Sequence, residues 1–315
     1  MNITLAQLEY IVSVDTYRHF VTAAEKCFVT QPTLSMQIKK LEDVLGVVVF
    51  DRNKQPIVPT EAGAAIIAQA RKVINDARKI DDIIMNFKEQ VSGTLRLGII
   101  PTLAPYALPY FVGRFINKHP NVKLEVKELM THQILDALRR DTIDLGLLVT
   151  PLSGKEWVEI PLFYEEFKLY VNEKHKLIGK NKVDIEEIDT EELWLLAEGH
   201  CFRNQVINLC PSNTNVGKHS NFQYESGSLE TLKKIVDTEG GSTLLPDLAT
   251  TDIRRHHPER LKPIGSIHPF REVSLIHNKN FAKTKLLDLL INTIKTTIPN
   301  RMLQMEQGEI IEWEK

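Results

Sequence analysis

The sequence predicts an α/β protein with an all-α head, and three observations predict it. Three short helical patterns crowd the first sixty residues, a long apolar repeat of helical spacing follows to about Gln90, and strand-like and helix-like runs alternate from Ser92 onward. The 315 residues are enough for two or three domains. A hydrophobic fraction of 43% supplies their cores without disulfide staples. Lys plus Arg total 39 against 41 Asp plus Glu, a net charge of −2. That balance excludes a generally basic nucleic-acid coat but not a local DNA-reading face. No run of about 18 apolar residues exists, so no transmembrane helix and no membrane partner are expected. MNITLAQLEYIVSV lacks a basic n-region and Glu9 interrupts it, so a reducing, cytoplasmic setting is expected rather than a secretory one. The three cysteines, Cys27, Cys201 and Cys210, are too few and odd in number for a secreted disulfide framework.

The head, residues 1–60, is read element by element. Leu5, Leu8, Ile11 and Val12 form one apolar helical face. Thr22, with Glu25 three residues on, can cap a second short helix through Ala23, Ala24 and Cys27. Thr30 and Gln31 precede Pro32, which suits a first helical turn. Leu34, Ile38, Leu41 and Leu45 then make one buried stripe that Gly46 ends. VVVF and PIVPT read as two short strands around the polar turn DRNKQ, a wing. Helix, turn, helix and wing is a DNA-reading layout. Gln31, Pro32, Thr33, Ser35 and Gln37 lie at or near the start of the third helix, where small polar groups meet base edges, and Lys39 and Arg52 can reach phosphate. A small helical domain with an ordinary solvated face fits the same periodicity.

Residues 61–91 read as a linker helix. Ile66, Ala70, Val73, Ala77, Ile80, Ile84 and Phe87 follow a 4, 3, 4, 3, 4, 3 spacing, an a/d seam with charged residues outside it. Packing on its own domain is one reading. A strict 3.5-residue repeat in a helix between two domains favours pairing with a second copy of the chain. Residues 92–300 then alternate strand and helix: TLRLGII, PTLAPYALPYFVGRFINKHP, VKLEVKEL, HQILDALRR and IDLGLLV form one unit. FKLYVN, a helix from Leu229 to Thr238, STLLP, EVSLIHN and KTKLLDLLINTIKTTI continue it. This succession predicts parallel sheet with crossover helices in two lobes. The tail, residues 301–315, is acidic and its pattern assigns no element.

Two cysteines stand out. Cys201 has His200 and Arg203 beside it, and nearby positive charge favours the reactive thiolate. Cys210 lies in an apolar stretch with Val206, Ile207 and Leu209. On a helix the two would sit about 13 Å apart along the axis, whereas a disulfide needs Cα atoms within roughly 7 Å. A bond between them requires the segment to leave the helix. Closing a loop of about ten residues is worth about 2.5–3 kcal/mol in the chain-entropy model, enough to bias a two-state element. Buried, inert cysteines remain an open reading, and a metal site with His200 or His219 has no C-x-x-C spacing to support it. No cofactor is expected.

The string AAEKCFVTQPTLSMQIKKLEDVLGVVVFDR, with PTEAG after it, resembles the winged helix-turn-helix of LysR-type transcriptional regulators. Met36 stands where that pattern would place glycine or alanine. The resemblance implies an N-terminal winged helix, dimerisation through the linker helix, and a periplasmic-binding-protein-like effector domain. It also implies a homo-oligomer, with a dimer of dimers suggested, that reads double-stranded operator DNA and works with RNA polymerase. GIIPTLAPYALP, THQILDAL, GHCFRNQVINLC, the SLETL…TLLP run and FREVSLI resemble the peroxide-sensing branch of that family, over residues 2 to about 290. That branch implies that hydrogen peroxide oxidises Cys201 to a sulfenic acid, which condenses with Cys210. The oxidised form activates peroxide-defence genes, and cellular thiol reductants reset it. It further implies that Thr102, Thr131 and His132 hold peroxide and water beside the thiolate, with Arg271 nearby. A LysR-type regulator gated by a small metabolite and a thiol peroxidase are the competing readings; only the second of these is an enzyme.

Overall fold

The computed structural model describes residues 2–87, 91–210, 227–265, 267–305 and 307–313, with the side chains of 81, 82 and 85–87 outside the description. The head packs α1 (Leu5–Tyr17), α2 (Phe20–Lys26) and α3 (Gln31–Leu45) against one another. Thr4 and Gln7 form a capping box at the start of α1. The cap expected at Thr22 is corrected: α2 begins earlier, and His19 caps it by accepting from the Thr22 amide. Thr30 caps α3, and Gly46 ends it at φ +69, a left-handed conformation that glycine adopts without strain. Leu34, Ile38 and Leu41 are fully buried in the head core, as their spacing predicts. The wing is β1 (Phe50–Asp51) paired antiparallel with β2 (Val58–Pro59).

The helix α4 (Glu61–Phe87) follows. Its seam divides. Ala70 is buried in the head core together with Ile67, and Ile74 is buried further along; Ile67 and Ile74 lie beside the expected stripe. Ile66 is half-buried, while Val73, Ile80, Ile83 and Ile84 are 38%, 59%, 55% and 46% exposed in the single chain. Phe87 closes the helix, and its side chain lies outside the described residues. The physical reason is rotation. A straight α-helix turns about 20° less per heptad than a 3.5-residue repeat requires, so the seam drifts around the helix and part of it faces α1 while the rest stays bare. Arg71 of α4 lies 2.8 Å from both Asp15 of α1 and Asp141 of the effector region.

The effector region holds two lobes. In the first, β3 (Gly93–Ile99) pairs parallel with β4 (Val122–Glu128) and with β5 (Leu145–Thr150). The crossovers are α5 (Ala104–Lys118) and α6 (Thr131–Arg139). Gly146 lets α6 seat on the sheet, since a Cβ there would fall 2.5 Å from Ile134 Cγ2. A long β6 (Trp157–Val171) carries the chain into the second lobe. That lobe adds α7 (Cys201–Leu209), α8 (Leu229–Glu239), β7 (Ser242–Pro246), α9 (Thr251–His256) and β8 (Leu261–Pro263). β9 (Pro269–Asn278) then returns to the first lobe, where α10 (Thr284–Thr297) covers the sheet. The parallel sheet expected throughout is corrected here. β9 runs antiparallel to both β5 and β6, because the chain re-enters the first lobe from the opposite end. Each lobe has its own core. The tail, unassigned by sequence, forms β10 (Glu309–Ile310), parallel to the start of β9.

Candidate functional site

The lobes meet at the N-termini of two helices. Thr131 is the first residue of α6 in the first lobe, and Cys201 is the first residue of α7 in the second. Both are buried, and Thr131 Oγ1 lies 2.8 Å from Cys201 Sγ. Helix N-termini present unpaired N–H groups and a positive dipole end, a setting that favours thiolate over thiol. Cys210 sits at the other end of α7 as its C-cap, where burial pushes its thiol up to about 11. The helix between them is intact, and no disulfide joins them.

Beneath this contact lies a buried ion pair between two cross-strand partners. Arg271 of β9 faces Glu165 of β6 in the ladder, and both are fully buried. The guanidinium donates to Glu165 Oε2 through Nε at 2.9 Å and Nη2 at 2.6 Å. Nη1 donates to Thr102 Oγ1 at 3.1 Å, and Nη2 to the Thr102 carbonyl at 3.3 Å. The guanidinium carbon stands 5.5 Å from the centre of the Phe202 ring, on the residue after Cys201. Glu165 Oε1 also accepts from the Leu248 amide at 3.0 Å. Burial pushes the Glu165 carboxyl up, and Arg271 and the Leu248 amide oppose that. One guanidinium thus links the β3–α5 turn of the first lobe, the cysteine-bearing helix of the second, and the strand between them. Tyr106 of α5 adds a second tie, donating to Glu230 of α8 at 2.6 Å.

Not every expected site residue joins this cluster. His200 is buried beside Cys201 as the N-cap residue of α7, but desolvation lowers its pKa. Burial thus favours its neutral form and works against the positive charge expected of it. Its Nε2 is buried without a partner among the described residues. Arg203 turns back along the chain and donates to the Leu196 carbonyl at 2.8 Å. His132 follows Thr131 but is exposed. Successive helical residues point about 100° apart, so an inward Thr131 turns His132 outward. No cluster of metal-ligating side chains occurs among the described residues. His219 lies outside them.

Sequence reasoning missed Glu165. Its signal was present, because in FYEEFKLYV the inward positions alternate through Phe163, Glu165, Phe167 and Leu169. A carboxylate at an inward strand position requires a buried cation.

On the head, Gln31, Pro32 and Lys39 are exposed on α3, while Thr33, Ser35 and Gln37 are half-buried. Gln31 donates to Ser35 Oγ at 3.1 Å, and Gln7 of α1 donates to Gln37 at 3.4 Å. Arg52 of the wing pairs with Glu42 at 2.9 Å and stacks over Phe20. Its side chain is nonetheless 44% exposed. Half-buried Cys27 has a thiol pushed up by burial.

Comparison with known proteins agrees with this architecture. Residues 5–64 match the bacterial regulatory helix-turn-helix protein, lysR family, and residues 88–299 match the LysR substrate binding domain. The hydrogen peroxide-inducible genes activator of Haemophilus influenzae is 33% identical over 273 residues, covering 87% of this chain and 90% of the relative. The DNA-binding transcriptional dual regulator OxyR of Escherichia coli K12 is 33% identical, covering 87% and 88%. A full-length OxyR variant from Pseudomonas aeruginosa superposes with a TM-score of 0.78 at 34% identity, over 94% of this chain and 99% of that one. A variant of Corynebacterium glutamicum OxyR described as hydrogen peroxide-bound gives a TM-score of 0.60 at 25% identity, over 94% and 93%. The helix-turn-helix head, the two-lobed effector domain and these likenesses place the chain in the LysR family of bacterial transcriptional regulators, DNA-binding proteins rather than enzymes.

Proposed function

We propose that this protein is a hydrogen peroxide-responsive transcriptional regulator whose switch is Cys201. The observation that carries the reading is the buried Thr131 Oγ1–Cys201 Sγ contact of 2.8 Å, formed where two helix N-termini meet. The Thr131 hydroxyl can donate to a thiolate there, and the Arg271–Thr102 pair orders the turn next to it. The Cys201 thiolate attacks one peroxide oxygen, the O–O bond breaks, and the departing hydroxide takes a proton and leaves as water. This gives the sulfenic acid. The Cys210 sulfur then attacks the Cys201 sulfur, an S–S bond forms, the S–O bond breaks, and a second water leaves. Two electrons and two protons from a cellular dithiol reverse the process.

An intact α7 holds the two cysteines about nine helical rises, or ~13 Å, apart. The disulfide therefore forms only when 202–210 leaves the helix, which moves Phe202 away from Arg271. The exposed Val73, Ile80 and Ile84, with Ile66 beside them, pair the chain with a second copy, and two such pairs make a dimer of dimers. Its heads read double-stranded operator DNA and bring RNA polymerase to peroxide-defence promoters, in the cytoplasm where thiol reductants reset the switch. Thiol counting before and after stoichiometric peroxide, followed by operator binding and transcription in vitro with both forms, tests this. Loss of two thiols with a gain in transcription is expected. Unchanged thiols with a metabolite-dependent response would replace the reading.

A further inference from the structure

The tail carries an observation that neither the family architecture nor the switch accounts for. After Arg301 pairs with Asp247 at 2.6 Å, the chain runs back beside β9, where the Ile311 amide donates to the Phe270 carbonyl at 2.8 Å. It then meets the cysteine-bearing helix. Gln205, fully buried on α7, donates through Nε2 to the Ile311 carbonyl at 2.6 Å. One turn on, Asn208 donates through Nδ2 to the Glu312 carbonyl at 2.8 Å. Ile311 is buried in the second lobe's core, which includes Phe202, Val206 and Leu209 of the same helix. Trp313 packs against the core of the first lobe. Residues 309–313 thus tie α7 to β9 and span both lobes. Every one of these α7 groups lies between the two cysteines.

We propose that residues 309–313 are a strap that holds α7 in its helical, dithiol form, with Gln205 and Asn208 as positioning residues that set how readily the disulfide closes. The proposal rests on the thiol-switch reading above. Oxidation itself does not need the strap to move, because Cys201 sits at the first turn, in contact with Thr131. Closure does, since the Cys210 sulfur can reach the sulfenic sulfur, form the S–S bond and expel water only after 202–210 unwinds. Unwinding carries Gln205 and Asn208 off the carbonyls of Ile311 and Glu312. The strap bonds therefore stabilise the closed helix and are absent from the open one, so they lower the population from which closure occurs.

Two variants of the full protein test it: Asn208→Ala, at a half-buried position that tolerates truncation, and a chain ending at residue 308. For each, the rate of Cys201 sulfenic acid formation is measured by nucleophile trapping in a Cys210→Ser background. Disulfide closure is followed separately by thiol loss with Cys210 intact. Sulfenic acid formation should stay within about twofold of the parent, while closure accelerates roughly fivefold in Asn208→Ala, the share of one net hydrogen bond, and further in the truncated chain. Amide exchange across 202–210 in the dithiol form should rise in the same order. A merely structural tail would move both rates together. Parent-like or slower closure in Asn208→Ala overturns the strap, as does an equal change in both rates; Asn208→Ala decides the matter if the shortened chain does not fold. A parent protein that forms no Cys201–Cys210 bond at all overturns the switch reading and the strap with it.

Discussion

Thr131→Val removes one hydroxyl from the buried contact with Cys201 and leaves the shape of the side chain almost unchanged. Thr131 is 3% exposed, and valine keeps the branched Cβ at the first position of α6. What is lost is a hydrogen bond 2.8 Å from Sγ, in a site shielded from water. A hydrogen bond to a charged partner contributes about 1.5–3 kcal/mol, and every 1.4 kcal/mol is about tenfold in an equilibrium. The thiolate population, and with it the rate of attack on peroxide, should fall by about 10- to 100-fold at pH 7. Global stability should change far less, because an isosteric apolar group leaves only the small sulfur to lose a partner. The assay traps the sulfenic acid with a nucleophile in a Cys210→Ser background, at several peroxide concentrations and from pH 5 to 9. The deficit should shrink as pH rises, because more thiol then ionises without help. A rate within twofold of the parent at pH 7, in a variant that unfolds at the parent temperature, would refute the role assigned to the hydroxyl.

Three further outcomes are expected. Lys39→Ala should weaken binding to all DNA sequences and lower the slope of log affinity against log salt by about 0.9, measured by titration across salt concentrations, whereas Ser35 or Gln37 changes should relax specificity at a nearly unchanged slope. Ile80→Asp places a charge on a residue 59% exposed in the single chain, so its fold should survive while sedimentation shows smaller species. Operator affinity should then drop roughly a hundredfold as two heads cease to bind together; an intact oligomer would return the seam to intramolecular packing. Burial lowers the His200 pKa below its ordinary value near 6.5. The unfolded chain therefore binds the extra proton more readily, and the protein should lose stability as pH falls below about 6.5. His200→Asn should flatten that loss in denaturant titrations between pH 5 and 7.5; an equal slope in both proteins would remove His200 from the titration.

The head was legible almost to the residue, because its elements are local. Leu34, Ile38 and Leu41 follow one another at about one helical turn and face inward as their spacing requires. Thr22 misled because its pairing with Glu25 imitates a capping box, while the histidine three residues earlier in fact accepts from its amide. The linker repeat was visible, but its division between the head core and open solvent depends on which way α4 lies on α1, a tertiary fact. Cys201 and Cys210 stand out in the sequence by their neighbours, yet burial works against charge on His200 and Arg203 turns back to the Leu196 carbonyl. Their placement against Thr131, 70 residues away in sequence, depends on a long-range fold that periodicity does not encode. The Arg271–Glu165 pair spans 106 residues and two antiparallel strands, and the strand–helix succession gives no hint that β6 and β9 lie side by side. The tail was opaque for the same reason. β10 is two residues long and exists only because β9 and α7 offer it partners.

The proposed switch has two halves: peroxide closes a bond between Cys201 and Cys210, and that bond switches transcription. Peptide mapping after stoichiometric hydrogen peroxide, with in vitro transcription from the same sample, tests both halves at once. A Cys201–Cys210 cross-linked peptide is expected, with a yield that rises in parallel with transcript, and neither signal is expected from Cys201→Ser. Full transcriptional activation by peroxide with both cysteines recovered as free thiols would contradict it.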